Sequence, residues 1–503
     1  MQNGPSLRAH CDLVLTSGSR GPINNIMKPA GDSVPRSKYD WILVSRQAPP
    51  KRTAELRVLD YNEIYAVYDE KTAQEQARRC IQCPNALCSQ ACPLSNRIPE
   101  WLALAAEGRF VEASRLSNKT SNMPEICSRV CPQERLCEGA CILNCRTDPV
   151  SIGAIERFIN EYAFSHNPEV IVPAASNGLR AAVIGSGPAG IACADELAKL
   201  GYQVTMFESL SLPGGLLVNG IPSFKLEKPV VARRMNVLVE RGVEVKLGIT
   251  IGKDIPLKEV IRTHDAVFLG HGAQKAKSAG VPGEGLSGVE QALPFLIEKN
   301  AGPGIVASRE VNVRGRNVVV LGGGDTAMDC LRTALRAGAE SATCLYRRDF
   351  SNMPGSRKEY YNALEEGAEF QFLTNPVEIV ADSGGSAAGV RCVRMELGAP
   401  DASGRSKPIA VPGSEFVVPA DVVIVAYGFD PVSFPDDSEF AKIKINEWGG
   451  IVVDRDQMTT VDKVYAGGDS VRGPSLVVHA VRDGRRAAMA IHRKVGAQRA
   501  ASA

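Results

Sequence analysis

The sequence has no long hydrophobic run, and its charges are almost evenly balanced. None of its apolar segments approaches the ~18–20 consecutive apolar residues that a membrane-spanning helix needs, so we expect a soluble protein. The N-terminal residues have no apolar core typical of a secretion signal, and export is not expected. The 58 lysines and arginines nearly cancel the 56 aspartates and glutamates. This balance gives no electrostatic reason to expect binding to nucleic acid or to an anionic membrane.

The sequence also lacks the composition of a disordered chain. Hydrophobic residues make up 44% of its 503 residues and charged residues 23%, whereas disordered chains combine low hydrophobicity with high net charge. At ~100–200 residues per domain, this length predicts about three domains. We expect a cytoplasmic protein in which residues 1–56, rich in Gly, Pro, Ser and basic side chains, form an extended arm.

The cysteines are concentrated in one part of the chain. Of the 14 cysteines, nine lie between Cys80 and Cys145, in a segment whose pattern predicts short amphipathic helices. Clustered cysteines in a large chain without a secretion signal bind metal more often than they form disulfides. We therefore predict a small helical metal-binding domain at residues 57–166.

Cysteine spacing narrows the choice of metal. The two runs are Cys80-x2-Cys83-x4-Cys88-x3-Cys92, followed by Pro93, and Cys127-x3-Cys131-x5-Cys137-x3-Cys141. A run that ends in Cys-Pro resembles ferredoxin-type iron–sulfur binding, in which its last cysteine often binds the other cluster. Structural zinc typically uses paired C-x2-C units, and this region has one. Two [4Fe–4S] clusters are thus favoured, and a structural zinc module used for docking remains the alternative. The scattered cysteines Cys11, Cys193, Cys330, Cys344 and Cys392 are expected to be buried apolar residues, and Cys145 is not assigned.

A first glycine loop follows an apolar strand after residue 180 and opens a helix. Its sequence is Gly185-Ser186-Gly187-Pro188-Ala189-Gly190. Glycines allow the tight turn and the close approach of backbone N–H groups to a pyrophosphate, which the helix N-terminus stabilises. Glu208, at the end of the next strand, is placed to accept hydrogen bonds from ribose hydroxyls. This pattern predicts a dinucleotide site.

A second loop of the same layout lies about 137 residues further on. It is Gly322-Gly323-Gly324-Asp325-Thr326-Ala327, with alanine at the third glycine position, as the fingerprint allows. The strand after it ends in Arg347 and Arg348 instead of an acid. Two guanidiniums at this point favour a ribose 2′-phosphate and hence NADP(H) over NAD(H).

The C-terminal segment indicates which loop binds which nucleotide. Asp469 follows Gly467-Gly468 and precedes a long predicted helix, where it can bind a ribityl chain. If its strand completes the first domain, FAD belongs to the first loop. We therefore predict an α/β chain with an FAD domain at residues 178–305 and 430–497, interrupted by an NADPH domain at residues 306–429.

Taken together, these motifs resemble a known family. CIQC, CPLSNRIPEW, VCPQERLCEGAC, SIGAIE, VIGSGPAG, PGGLLVNGIPSFKL, LGGGDTAMD, YRRD and AGGD with DGRRAA span residues 57–495. They are similar to the small (beta) subunit of NADPH-dependent glutamate synthase, and to parts of dihydropyrimidine dehydrogenase and bifurcating transhydrogenases. The resemblance implies two Rossmann-like domains preceded by a helical domain with two [4Fe–4S] clusters. It also implies that Gly215 and Leu216 contact the flavin.

The resemblance further implies a ligand set for each cluster. Cys80, Cys83, Cys88 and Cys141 would hold one cluster, and Cys92, Cys131, Cys137 and the carboxylate of Glu156 the other. Spacing alone selects Cys127 in place of Glu156, so the fourth ligand of the second cluster stays open at this point.

The resemblance implies an electron-input subunit that oxidises NADPH and serves a large glutamate synthase subunit. An alternative is an oxidoreductase of the same family that serves ferredoxin or another flavoprotein, because CPQERLCEGAC has the length found in the pyrimidine dehydrogenase and transhydrogenase branches. A disulfide reductase is disfavoured, because Cys80 and Cys83 lie outside the predicted flavin domain. We assign no catalytic side chain, and we interpret His271, in a glycine turn, as structural.

Overall fold

The structure is a computed structural model that describes residues 39–166, 171–301, 310–400, 404, 406–432 and 439–502. Cys11 and most of the predicted N-terminal arm lie outside the described residues. The chain divides into two compact units, one within Met1–Pro50 and Val67–Glu169 and the other within Lys51–Ala66 and Val170–Ala503. In the part of the chain that the structure describes, no helix is long and apolar enough to cross a bilayer.

Helices are distributed over both units. The α-helices are α1 (Asp40–Leu43), α2 (Ala54–Arg57), α3 (Glu70–Arg78), α4 (Leu87–Ala91), α5 (Ile98–Ala106), α6 (Phe110–Asn118), α7 (Pro124–Val130), α8 (Ile152–His166), α9 (Pro188–Lys199), α10 (Leu216–Asn219), α11 (Lys228–Glu240), α12 (Leu257–Thr263), α13 (Ala292–Ala301), α14 (Asp325–Arg336), α15 (Arg357–Glu365), α16 (Asp469–Arg472) and α17 (Val477–Ser502). Short 3-10 turns cover Gln133–Arg135, Ile142–Cys145 and Glu439–Lys442.

Among the described residues, every strand lies in the second unit. They are β1 (Arg180–Ile184), β2 (Gln203–Glu208), β3 (Glu244–Leu247), β4 (Ala266–Leu269), β5 (Lys275–Ala276), β6 (Val289–Gln291), β7 (Asn317–Leu321), β8 (Ser341–Tyr346), β9 (Glu369–Phe372), β10 (Thr374–Ala381), β11 (Ala387–Pro400), β12 (Ser406–Ala410), β13 (Phe416–Pro419), β14 (Val422–Val425), β15 (Phe429–Asp430) and β16 (Val464–Ala466).

The first unit is helical, as the periodicity predicts. Helix α5 turns Ile98, Trp101, Leu102 and Ala105 inward, the i, i+3, i+4, i+7 spacing of a buried helix face. Asp69 caps the N-terminus of helix α3, because its side chain accepts a hydrogen bond from the Thr72 N–H. These helices surround a core that also contains several of the clustered cysteines.

The first sheet of the second unit is parallel, with strand order β16-β4-β1-β2-β3. Its central strands β1 and β4 are almost fully buried, because helices cover a parallel sheet on both faces. β16 pairs in parallel with β4, so the C-terminal segment returns to this sheet. Helix α17 then packs against α9, where Gly484 permits contact because an added Cβ would lie 2.1 Å from the Ala189 oxygen.

The second sheet is also parallel, with order β6-β14-β7-β8-β9, and an antiparallel sheet of β10 to β13 adjoins it. The predicted boundary between residues 305 and 306 needs correction here. β6 already pairs with β14, and α13 contributes Phe295 and Leu296 to the second core. The chain therefore enters the second sheet at Val289, earlier than the glycine loop alone indicates. The first boundary also differs, since residues 57–66 pack with the second unit.

Candidate functional site

The first glycine loop has a geometry that requires glycine at two of its positions. Gly185 has φ +97°, and an added Cβ would lie 2.6 Å from the Gly270 oxygen. A Cβ on Gly190 would lie 1.9 Å from the Gly185 oxygen. Gly187 differs, because a Cβ there would meet no protein atom within 4 Å. The open side at Gly187, beside the N-terminus of α9 that begins with Pro188 and Ala189, is where a pyrophosphate can approach the backbone.

Glu208, at the end of β2, is hydrogen-bonded to the first glycine loop. Its buried carboxylate accepts hydrogen bonds from the N–H and the Oγ of Ser186 at 3.0 and 2.5 Å. The Ser186 Oγ in turn accepts one from the Gly214 N–H at 2.8 Å. Gly215 has φ +54°, and its Cβ would lie 2.9 Å from the Gly187 Cα. The structure thus brings the predicted loop, Glu208, Gly215 and the start of α10 at Leu216 into one place.

Asp469 reaches the same place from the C-terminal segment. It follows Gly468, where a Cβ would lie 3.0 Å from the Ala189 Cβ in the first loop. Its carboxylate accepts a hydrogen bond from the Ser475 N–H, and burial raises the pKa of Asp469 to about 7. A buried carboxyl group beside the first loop can exchange hydrogen bonds with the hydroxyl groups of a sugar-like chain.

Asp483 is a supporting residue that the sequence analysis missed. It is fully buried on α17, accepts the Gly468 N–H at 3.2 Å, and forms a two-pronged ion pair with Arg472 at 2.7 Å for each bond. It therefore fixes the turn that carries Asp469. The signal in the sequence was an acid directly followed by glycine, Asp483 and Gly484, in the middle of a long predicted helix.

The second glycine loop repeats the plan of the first. Gly322 has φ +132°, and a Cβ there would lie 2.5 Å from the Ala426 oxygen. A Cβ on Gly324 meets no protein atom within 4 Å, as at Gly187. Asp325 begins α14 and accepts the Ser356 N–H at 2.8 Å. Thr326 is half-buried and Ala327 is fully buried at the third glycine position.

The two arginines that follow β8 have different surroundings in the structure. Arg347 is exposed, whereas Arg348 is buried and its Nε donates to the Ser406 oxygen at 2.9 Å. Successive residues at a strand end point to opposite sides. Arg347 is therefore the better placed of the two for a 2′-phosphate, and the role of Arg348 as a phosphate ligand stays a prediction.

We expect Arg347→Ala to raise KM for NADPH about tenfold or more and to leave KM for NADH almost unchanged, because only NADPH carries the phosphate. Steady-state dye reduction with each nucleotide measures this. Arg348→Ala is the matched comparison, and we expect it chiefly to lower the melting temperature. Equal losses with both nucleotides in Arg347→Ala would contradict the assignment.

The first cysteine group lines one apolar pocket in the helical unit. Cys80, Cys83, Cys88 and Cys141 share it with Ile81, Leu102 and Ile152, among other residues. Burial, together with Cys80 and Cys141, raises the pKa of Cys88 to about 12. Burial and the neighbouring Cys141 also raise the pKa of Cys83. Thiols that resist ionisation in this way become stable thiolates when a cationic cluster binds them.

The second group contains four thiols and one carboxylate. A hydrogen bond with Cys127 and burial raise the pKa of Cys131. Burial raises the pKa of Cys137, and the neighbouring Glu138, Cys92 and Glu156 raise it further. Burial also raises the pKa of Glu156 to about 7, although its Oε1 accepts hydrogen bonds from Asn96 at 2.8 Å and Ser117 at 2.9 Å. Both candidates for the fourth ligand, Cys127 and Glu156, therefore lie at this site.

The spread of these groups bears on the kind of metal. Among the described residues, no three histidine, cysteine or carboxylate side chains converge closely enough to hold a single metal ion. A lone zinc ion draws its sulfur ligands to about 2.3 Å, whereas thiolates around a four-iron cube stand farther apart. The preference for clusters over single ions therefore still rests on the cysteine spacing.

We expect Cys127→Ser to keep about eight iron atoms per chain and Glu156→Ala to keep about four, if the carboxylate is the fourth ligand. Iron and sulfide analysis of anaerobically prepared protein measures both. The two variants control for each other, since each removes one candidate from the same buried site. If Cys127→Ser instead kept about four iron atoms and Glu156→Ala about eight, Cys127 would be the fourth ligand.

Two family profiles match the chain. Dihydropyrimidine dehydrogenase domain II, a 4Fe-4S cluster domain, matches residues 57–168, and pyridine nucleotide-disulphide oxidoreductase matches residues 179–484. The glutamate synthase [NADPH] small chain of Azospirillum brasilense is 46% identical over 460 residues, which cover 90% of this chain and 95% of that protein. The chain belongs to the NADPH-dependent glutamate synthase small-chain family. The Escherichia coli member is 45% identical over 460 residues, covering 90% of this chain and 97% of that protein.

A solved structure supports the fold of the second unit. Mycobacterium tuberculosis FprA in complex with NADPH aligns with a TM-score of 0.56 at 20% identity, over 64% of this chain and 86% of FprA. The predicted fold class, with Rossmann-like domains preceded by a 4Fe-4S domain, is confirmed.

As a member of the glutamate synthase small-chain family, the chain is an NADPH-dependent oxidoreductase that uses FAD and [4Fe–4S] clusters, as predicted. The zinc module is correspondingly disfavoured, since the cysteine region matches a 4Fe-4S domain. The roles of the individual residues described above remain predictions.

Proposed function

We propose that the chain is the cytoplasmic electron-input subunit of a glutamate synthase, and that a large subunit uses its electrons to make glutamate from glutamine and 2-oxoglutarate. The observation that carries this proposal is the presence of two glycine loops with an open side and two groups of clustered, partly or fully buried thiols in one chain. Bound FAD would supply the chemistry that links a two-electron hydride donor, NADPH, to iron–sulfur clusters, which take one electron each. The names of the bacterial relatives, glutamate synthase [NADPH] small chain, support the choice of partner.

The residues of the chain bind and orient in this proposal, and none needs to act as an acid or a base. Gly187, Glu208 and Asp469 are assigned to the flavin nucleotide, and Gly324 and Arg347 to NADPH. Hydride transfer depends mainly on the proximity of the two rings. Burial lowers the pKa of His271 to about 4, so this side chain is neutral at pH 7 and unsuited to donate a proton there.

The test uses the full chain, prepared anaerobically, with and without the large subunit from the same source. We expect NADPH to drive dye reduction by the chain alone, and glutamate to form from glutamine and 2-oxoglutarate only when the large subunit is added. Glutamate formation by the chain alone would overturn the proposal. Reduction of ferredoxin, with no glutamate formed in the presence of the large subunit, would favour the alternative acceptor.

A further inference from the structure

In the part of the chain that the structure describes, a narrow ribbon of two strands connects the two parallel sheets of the second unit. The two crossings, β5 and β15, pair with each other through Ala276 with Phe429 and Lys275 with Asp430. Lys277 and Asp430 form an ion pair across the ribbon at 2.9 Å, but their side chains are 47% and 40% exposed. Exposed pairs contribute little, and short connecting segments of this kind act as hinges between domains. The ribbon by itself therefore does not fix how the second sheet is oriented.

A second contact joins the two sheets at helix α14, which begins at Asp325 within the second glycine loop. Lys225, from the segment before α11, lies 2.8 Å from the Asp329 carboxylate, and both side chains are largely buried. The ring of the neighbouring Phe224 lies 4.3 Å from the Arg332 guanidinium and 4.0 Å from that of Arg336. One end of this contact belongs to the first sheet's part of the chain, and the other to the helix whose N-terminus faces the predicted NADPH site.

The arginines of α14 are themselves held in place by a buried carboxylate. Glu366 accepts hydrogen bonds from Arg332, Arg336 and Arg57, the last at 2.8 Å from Nε. Glu366 is buried, and its pKa is lowered to about 2 because hydrogen bonds from Arg332 and Arg336 outweigh the effect of burial. The resulting network holds its charges in fixed positions.

Residues 51–66 contact both sides of this network. Arg57 also donates to the Asn362 oxygen of α15, and the Ile64 N–H donates to the Phe224 oxygen at 3.2 Å. This segment therefore touches the Phe224–Lys225 segment at one end and the second sheet's helices at the other. These contacts explain why residues 51–66 belong to the second unit.

We propose that Lys225 is a positioning residue for hydride transfer, because its contact with Asp329, beside Phe224 and the two arginines, sets the angle between the FAD part and the NADPH part of the chain. The proposal rests on the proposed function, in which NADPH reduces the flavin. Misplacing the reacting atoms by about 1 Å costs about 100-fold in rate. The Lys225–Asp329 contact involves neither Gly324 nor Arg347, the residues assigned to NADPH, so its loss should slow flavin reduction with little effect on NADPH binding.

The test compares Lys225→Met, Lys225→Arg and the double variant Lys225→Met/Asp329→Met in anaerobic stopped-flow measurements of flavin bleaching by NADPH. The double variant removes both charges of the pair, and Glu359, which lies 3.8 Å from Lys225, keeps its ion pair with Arg332. Hydrophobic replacement of a whole buried pair is often neutral for stability. Lys442→Met is the matched control, since Lys442 pairs with Glu439 at 2.8 Å on the surface. In the Met variants we expect the limiting rate to fall at least about tenfold, with the Kd for NADPH unchanged within about twofold.

Lys225→Arg should retain the limiting rate within about threefold, because it keeps the charge at Asp329. A wild-type limiting rate in the double variant would overturn the proposal, as would a raised Kd with an unchanged rate or an arginine variant as slow as the methionine one. Failure of the wild-type chain to bleach at all would instead overturn the proposed function. The two failures are therefore distinguishable.

Discussion

Cys141→Ser is expected to remove one iron–sulfur cluster and to lower electron delivery to a one-electron acceptor at least about 100-fold, while NADPH still bleaches the flavin. Cys141 is buried and shares its pocket with Cys80, Cys83 and Cys88. A serine hydroxyl is a much poorer ligand than a thiolate for iron in such a cluster. Iron and sulfide should fall from about eight to about four atoms per chain.

The control for this variant is Cys392→Ala. Cys392 is fully buried in β11, remote in sequence from both cysteine runs, and we expect its replacement to leave the iron content unchanged. Full iron content together with wild-type acceptor reduction in Cys141→Ser would remove Cys141 from the ligand set.

Gly187→Ala should lower the affinity for FAD about 100-fold without impairing folding. The added methyl group meets no protein atom within 4 Å, and the backbone at Gly187 has φ −70°, which alanine adopts freely. The same methyl group would occupy the approach path of a pyrophosphate, where the fingerprint requires glycine. The flavin-to-protein ratio after gel filtration measures the loss, and the melting temperature of the apoprotein measures folding.

Gly324→Ala is the matched control, because its methyl group also meets no protein atom within 4 Å. We expect this variant to keep its flavin and to raise KM for NADPH about tenfold or more. Flavin loss in Gly324→Ala and retention in Gly187→Ala would exchange the two nucleotide assignments. Flavin retention in both would show that neither loop limits its binding.

The arginine pair shows what a local residue pattern can predict about a binding site and what it cannot. The sequence placed Arg347 and Arg348 correctly at the end of a strand beside the second glycine loop, but it treated them as equivalent. In the structure Arg348 turns inward to the Ser406 oxygen, while Arg347 is exposed. The alternation of side chains along a strand carried part of this information. The acceptor for Arg348 lies 58 residues away, and no local pattern points to it.

The boundaries of the domains show a different limit. β6, at Val289–Gln291, is too short and too weakly patterned to be assigned to either sheet from sequence. Its membership depends on pairing with β14, more than 130 residues later in the chain. The segment 51–66 is a similar case, because ion pairs such as Arg57 with Glu366 join residues 309 apart.

The sequence by itself determined the glycine loops, the cysteine spacings and the family, since backbone stereochemistry and metal coordination impose residue types at short, fixed intervals. Only the tertiary structure decided that Gly187 and Gly324 are open while Gly185 and Gly322 are enclosed. It also decided that Asp483 supports Asp469 and that Lys225 reaches Asp329. Such contacts arise when the fold brings distant side chains together, and their energy depends on burial that no local interval encodes.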